Sequence, residues 1–177
     1  MVSLLVHASL GLASIAWIIA SNPRIYARPA GGPWLAPLEC VYYLAGVASI
    51  ALGWYFNIRF VLDAHGQGSL VSGPGSYPNF LRLQFANPAA GSGNQDYLIA
   101  NVVLLPVFTI VDGYRRGLRR PWLFFVASFF TSFAFPFAFY FATIERQRRH
   151  QRTGGEPGAE GGSGGPPADP LAVRHEI

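Results

Sequence analysis

The sequence predicts an all-α membrane protein built as a bundle of four transmembrane helices. Composition is the first observation: 51% of the 177 residues are hydrophobic and only 12% are charged, about half of the roughly 25% found in soluble globular domains. The second observation is that the apolar residues fall into long runs, and a helix needs about 20 apolar residues to cross a bilayer. We therefore expect one transmembrane domain, residues 1–146, with helices at about 2–20, 38–62, 97–111 and 121–144.

The first run, residues 2–20, has the length of a membrane-crossing helix. A cleaved signal peptide would begin with a basic segment and end at a small-residue cleavage site. No basic residue precedes this run, and residues 22–24 (NPR) follow it, so we expect a retained helix. Small residues at helical spacing would let another helix approach one face closely: Ser9, Ala13, Ala16 and Ala20.

The second run, residues 38–62, carries Glu39 near its start and Arg59 near its end. About twenty helical residues separate these two charges, which is roughly 30 Å along the axis, so they cannot pair with each other. Small or amide side chains recur every four positions and predict a face packed against another helix: Ala45, Ser49, Gly53 and Asn57.

Residues 63–95 are rich in Gly, Ser, Pro and Asn, and they predict a long loop between the second and third helices. The segment 80–85 (FLRLQF) interrupts this composition. Its mixture of apolar and polar residues is typical of an amphipathic insert that lies among lipid headgroups.

The third helix, residues 97–111, is short for a membrane span, since fifteen residues extend only roughly 22 Å. Asp96 and Asp112 flank it, and Pro106 removes one helical hydrogen bond from its interior. Asn101 and Asp112 are eleven residues apart, or three turns, so they share one face. We expect that face to point at protein rather than at lipid.

The fourth helix, residues 121–144, contains Pro136, which we expect to kink it. The tail that follows, residues 147–177, begins with arginines and continues as a Gly/Pro-rich segment. Such a composition cannot bury apolar surface, so the tail is predicted to be disordered.

Four spans would place both termini on one side of the membrane and sort the charges into two rims. One rim would hold Glu39, Asp112, Arg115, Arg116, Arg119 and Arg120, and the other Arg59, Asp63, Arg82, Asp96 and Glu145. Counting the arginines up to residue 152 gives six on each side: Arg24, Arg28, Arg115, Arg116, Arg119 and Arg120 against Arg59, Arg82, Arg146, Arg148, Arg149 and Arg152. The positive-inside rule therefore ties, and the sequence does not orient the protein.

Several kinds of chemistry lack the residues that they need. A single cysteine, Cys40, excludes an intramolecular disulfide, and the four scattered histidines have no ligand spacing, so we expect no metal and no cofactor. The arginine runs lack interleaved aromatic residues in a soluble domain. They are better explained by contact with anionic membrane lipid than by nucleic acid.

The segment from Phe85 to Glu145 resembles a known family. The residues that carry the resemblance are Phe85–Asn87, Asp96–Ile99, Asp112–Gly117, Trp122, Ala134–Pro136 and Glu145–Arg146, and Tyr42–Phe60 is similar to the preceding helix. The family is the uncharacterised membrane family known as domain of unknown function 2834. The resemblance implies a small bacterial-type integral membrane protein, and it directs attention to Asn87, Asp96, Asp112, Arg115, Arg116 and Pro136.

Two functions remain open, and the sequence does not decide whether the chain is an enzyme. The first is a non-enzymatic accessory or subunit of the inner (plasma) membrane, packed against another membrane protein or a second copy of itself. The second is a small enzyme that protonates a lipid or isoprenoid, as terpene cyclases do. Its candidate acids are Asp96, Asp112 and Glu39, and the candidate ligand-binding residues are Asn87, Asn101, Arg59, Arg115 and Arg116.

A channel or transporter has less support than either of these. Its usual signals are a charge in the middle of a membrane helix and an inverted repeat, and the sequence contains neither.

Overall fold

A computed structural model describes residues 2–29, 32–65, 67, 69 and 71–154, and within these ranges the chain forms helices and no strands. The helices are α1 (Val2–Ser21), α2 (Pro23–Tyr26), α3 (Pro37–Asp63), α4 (Tyr77–Leu83), α5 (Pro88–Ile99), α6 (Leu105–Arg115), α7 (Trp122–Ser128) and α8 (Ala134–Gly154). A π-helical turn, Ala100–Leu104, joins α5 to α6. The all-α prediction is confirmed for the described residues.

Three helices are long and apolar enough to cross a membrane: Leu4–Ser21, Pro37–Asp63 and Pro88–Arg115. The first two confirm the predicted helices at about 2–20 and 38–62. The third is almost twice as long as the predicted 97–111. Consequently Asp96 does not open this helix but lies inside it.

The third helix starts early because its first turn is well capped. The side chain of Asn87 accepts a hydrogen bond from the Ala90 amide at 2.9 Å, and Pro88 occupies the first turn, where no amide donor is required. The predicted loop is therefore shorter than residues 63–95 and contains α4. Pro106 does not interrupt the helix, since it lies in the first turn of α6, directly after the wider π-helical turn.

The predicted single helix at 121–144 is wrong, because the chain forms two helices there with a break at residues 129–133. Pro136 does not kink a continuous helix; it is the third residue of α8, where a missing amide donor leaves no helical bond unmade. The Ser132 hydroxyl accepts a hydrogen bond from the Phe135 amide at 3.3 Å and so helps α8 to begin.

Helices α7 and α8 form an antiparallel hairpin. Near the start of α7, the indole of Trp122 packs edge-on against that of Trp17, 5.9 Å away, at the end of α1. The chain then runs back along α1 until the Phe130 carbonyl approaches Gly11, the middle of that helix. Phe124 of α7 packs on Tyr140 of α8 with ring centroids 5.0 Å apart. The turn of the hairpin therefore lies at about half the height of the bundle.

Helix α8 returns along α3 in the opposite direction to it. Ser49 and Ser132 form a hydrogen bond of 2.8 Å between their hydroxyls. Glu39, at the start of α3, forms an ion pair with Arg146. Each turn of α8 away from the hairpin break thus lies closer to the start of α3.

The hairpin brings most of the basic residues to one end of the bundle, which we call the arginine-rich end. It contains the ends of α1, α6 and α8 and the start of α3. Its arginines are Arg24, Arg28, Arg115, Arg116, Arg119, Arg120, Arg146, Arg148, Arg149 and Arg152. The opposite end, which we call the α4 end, contains Arg59 and Arg82. The predicted rims are wrong for two acids: Glu145 lies at the end of Glu39, not at that of Arg59, and Asp96 lies inside the third helix.

The core lies between the hairpin and helices α1 and α3. It is built from Ile18, Leu118, Leu123, Phe124, Ala127, Phe135, Phe139, Tyr140 and Ile144. Helix α8 extends past this core to Gly154, so the predicted tail begins as helix. Residues 155–177 lie outside the described part of the chain.

Candidate functional site

A buried ion cluster joins α3 to the C-terminal half of α8. The side chain of Glu39 is fully buried, with 0% exposed. Its two carboxylate oxygens pair separately, with Arg146 at 3.3 Å and with Arg149 at 2.7 Å. A buried carboxylate is tolerated only when it is paired and hydrogen-bonded, and the two arginines supply both kinds of contact to Glu39.

Arg146 also fastens the segment that connects α1 to α3. Besides Glu39, its guanidinium donates to four backbone carbonyl oxygens, those of Ile25 (2.8 Å), Trp34 (3.1 Å), Tyr26 (3.4 Å) and Ala27 (3.0 Å). The fixed fork of donors on arginine suits such a set, and the single ammonium of lysine does not. The cluster is therefore a structural clamp.

Tyr26 extends the clamp into the core. Its hydroxyl forms a hydrogen bond of 2.6 Å with the Thr143 hydroxyl on α8. Burial raises the pKa of Tyr26 well above its usual range, so the phenol stays neutral and keeps its proton. Nearby, Asn22 also holds two distant segments together. Its side-chain amide donates to the Arg119 carbonyl at 3.1 Å and accepts from the Arg119 amide at 2.8 Å.

A second polar cluster joins α6 to α8. Asp112 accepts hydrogen bonds from Arg116 Nε at 2.6 Å and from the Tyr140 hydroxyl at 2.8 Å, both at Oδ2. The Gln147 amide donates to the Arg116 carbonyl at 2.7 Å. The prediction that Asp112 points at protein is confirmed, and the structure brings Asp112 and Arg116 together as an ion pair.

The other candidate residues are dispersed. Asp96 is exposed on α5. Asn87 is the N-cap of α5, and the buried Asn101 donates to the Tyr97 carbonyl of the preceding turn at 2.8 Å. Arg59 lies on the exposed surface, 3.9 Å from Asp63. Arg115 is exposed beside Asp112, along a groove between α6 and α8. The candidates therefore do not form one site.

An aromatic cavity of about 230 Å³ lies on the α4 side of the hairpin break. One wall is formed by residues 128–133, which are the last residue of α7 and the break itself. The remaining wall residues come from α1, α3, α4 with the turn before it, and α5: Leu4, His7, Gly53, Trp54, Phe56, Asn57, Phe60, Val61, Gly75, Tyr77, Phe80 and Tyr97.

None of the polar residues of this cavity is among the predicted site residues. The sequence indicates only that Asn57 lies on a packed face of its helix. The Asn57 amide and the hydroxyls of Tyr77 and Tyr97 form no hydrogen bond with any residue that the structure describes. None of the described wall residues carries a carboxylate or a guanidinium. The cavity therefore has hydrogen-bonding capacity without formal acid or arginine charge.

Among the described residues, no three His, Cys, Asp or Glu side chains are grouped so that they could hold a metal ion. The three candidate acids also lie apart from the cavity: Glu39 and Asp112 are engaged in ion pairs, and Asp96 is not a wall residue.

Comparison with known proteins gives one match. Residues 41–146 match the family model described as Protein of unknown function DUF2834. No curated protein and no solved structure matches the chain. Because the matched region covers more than half of the sequence, and includes α7, the break after it and the Asp112–Arg116 ion pair, this chain belongs to the family Protein of unknown function DUF2834.

Proposed function

We propose that this chain is a non-enzymatic, multi-pass protein of the plasma membrane that packs against a second membrane protein through α1. The observation that carries the proposal is the uncovered small-residue face of that helix. Ser9, Ala13, Ala16 and Ala20 are all exposed. The face of α1 that packs within the chain is a different one, with Gly11, Ser14 and Ile18 buried.

Helices associate in lipid by close backbone approach rather than by the hydrophobic effect, so exposed small residues at helical spacing favour a helix as the neighbour. The corresponding stripe on α3 is used inside the chain, because Ser49 and Gly53 contact Ser132 of the hairpin break. Of the small-residue stripes on α1 and α3, only the one on α1 is therefore left to receive a separate helix.

The positions of the acids support a non-enzymatic role. A terpene-cyclase-like reaction needs a protonated acid inside an apolar, aromatic-lined cavity. Glu39 and Asp112 are held by arginines, and exposed Asp96 does not line the aromatic cavity. The enzyme alternative therefore lacks a placed proton donor among the described residues.

The distribution of arginines supports an orientation that the sequence leaves tied. With the hairpin entering and leaving at one end, ten of the twelve described arginines lie at the arginine-rich end and two, Arg59 and Arg82, at the α4 end. Arginine and lysine concentrate on the cytoplasmic side of membrane proteins. In this proposal three helices cross the membrane, the hairpin enters it from the cytoplasm without crossing, and the arginine-rich end faces anionic lipid headgroups and the cytoplasm.

Proximity in the native membrane tests the proposed partner. A photo-crosslinking amino acid at Ala13 or Ala16 should give a discrete adduct, either with another membrane protein or with a second copy of this chain. The double variant Ala13→Leu/Ala16→Leu should abolish the crosslink formed from Ser9 and should cause the partner to be lost on purification in mild detergent.

The matched control is Ala48→Leu/Ala51→Leu, which makes the same change at two exposed positions of α3. It should leave the crosslink intact. Adducts with lipid alone from all α1 positions, or equal loss of the adduct in both double variants, would refute α1 as the interface.

A further inference from the structure

We infer that the aromatic cavity is a binding site for a neutral ring that carries carbonyl oxygens on an apolar tail, that is, the headgroup of a quinone-type lipid. This goes beyond the proposed role, since the cavity and the exposed face of α1 are separate features. The inference rests on the depth of the cavity, its unpaired polar groups, its aromatic walls and its lack of acid and arginine charge.

Depth makes the unpaired groups significant. The hairpin break lies at the level of Gly11 and Ser49, the middles of α1 and α3. Asn57 lies six residues before the end of α3, or roughly 9 Å along its axis. Away from water, an amide that has no hydrogen-bond partner is unfavourable. A bound molecule with acceptor oxygens would remove that cost.

The donor set selects neutral oxygen atoms. The Asn57 amide and the Tyr97 hydroxyl can each donate to a carbonyl, and the Tyr77 hydroxyl adds a third donor across the cavity. The described walls offer no carboxylate to a cationic ligand and no guanidinium to an anionic one. A phospholipid headgroup would therefore lie there with an uncompensated charge.

The walls select a flat ring. Aromatic side chains surround the cavity and contact one another across it: Tyr97 lies 4.6 Å from Phe133, Phe60 lies 5.4 Å from Phe80, and His7 lies 6.2 Å from Tyr77, between ring centroids. Such walls offer both faces and edges to a planar π-system. A volume of about 230 Å³ is smaller than the roughly 300 Å³ at which sites begin to enclose whole drug-sized molecules. It holds one substituted ring, with the tail outside in lipid.

The fluorescence of one tryptophan can report on binding in the cavity. Trp54 lines it, whereas Trp17 and Trp122 pack together at the arginine-rich end and Trp34 lies over Arg146 there. A quinone quenches tryptophan fluorescence on contact. We would titrate the full chain in lipid nanodiscs with decyl-benzoquinone and follow the emission of the wild type and of Trp54→Phe. Saturable quenching in the wild type that is absent from Trp54→Phe is expected.

Two variants and one competitor decide specificity. Asn57→Leu should weaken the apparent affinity about tenfold, which corresponds to the loss of about one good hydrogen bond. Gly53→Leu should abolish saturable quenching, because the new side chain fills the cavity; its matched control is Gly93→Leu, a helical glycine with no atom within 4 Å of an added Cβ. Decylbenzene, which lacks the oxygens, should compete poorly.

Linear, non-saturating quenching would mean simple partition into lipid and would overturn the inference. So would equal binding to Gly53→Leu and Gly93→Leu, or full relief of the quenching when decylbenzene is added at the same concentration as decyl-benzoquinone. Each variant would first be required to elute as the wild type does on size exclusion, so that a loss of binding is not a loss of fold.

Discussion

At the scale of single residues, the side chains that matter most are those that hold distant parts of the chain together. Glu39 and Arg146 are separated by 107 positions in sequence, and the same arginine reaches carbonyl groups at residues 25–27 and 34. The sequence indicates that Glu39 lies near the start of a helix. It could not indicate the partner, because a pairing over such a separation depends on the path of α8.

The clamp makes a definite prediction for Glu39→Gln. The substitution keeps the shape of the side chain but leaves Arg146 and Arg149 without their counter-charge, and breaking a buried pair costs about 3–5 kcal/mol. We expect a markedly lower midpoint of thermal unfolding in detergent. Asp63→Asn, at an exposed acid with a 3.9 Å contact to Arg59, is the control and should shift the midpoint little. Equal midpoints for the two variants would show that Glu39 is not a structural anchor.

Two asparagines show how much of a side chain's role can be predicted from the sequence. Asn87 was a candidate ligand and is a helix cap, a role that its position directly before Pro88 already favours. For Asn57 the sequence indicates only a packed face. The position of an amide on a helix does not show whether it faces another helix or a cavity.

At the scale of the elements, α1, α3 and their lengths follow from hydropathy, while the hairpin does not. Residues 121–144 are continuously apolar and long enough for a span, so composition alone favours one helix. Pro136 fits either a kinked helix or the first turn of a new one. Packing decides between the two: Gly11 lets the Phe130 carbonyl approach α1, and Ser49 bonds to Ser132.

Gly11 provides a test of this element. A Cβ at that position would lie 2.8 Å from the Phe130 carbonyl oxygen, which is backbone and cannot rotate away. We expect Gly11→Val to displace the hairpin turn and destabilise the protein by about 1–3 kcal/mol, as overpacking usually does. Thermal unfolding in detergent measures the effect, and Gly93→Val, at an open helical position, should be nearly neutral. If Gly11→Val were as stable as its control, the turn would not pack on α1 as described.

At the scale of the whole molecule, the path of α8 changes the charge balance of the protein. A fourth span would leave six of the twelve described arginines on each side, whereas the hairpin moves Arg146, Arg148, Arg149 and Arg152 to the end that already holds the other six. The orientation of the protein therefore depends on whether residues 121–144 form a hairpin or a fourth membrane span. In the proposed orientation the cytoplasmic face carries the Glu39 clamp, and the opposite face carries α4 and the aromatic cavity.

Cysteine labelling in intact cells tests whether the chain enters the membrane as a hairpin after α6. In a background with Cys40→Ser, which removes the chain's single cysteine, two exposed positions would be probed separately with a membrane-impermeant maleimide: Ser92→Cys on α5 and Gln151→Cys on α8. The hairpin predicts opposite sides, so Ser92→Cys should react in intact cells and Gln151→Cys only after permeabilisation. Labelling of both positions from the same side would mean that residues 121–144 cross the membrane, and it would contradict the account.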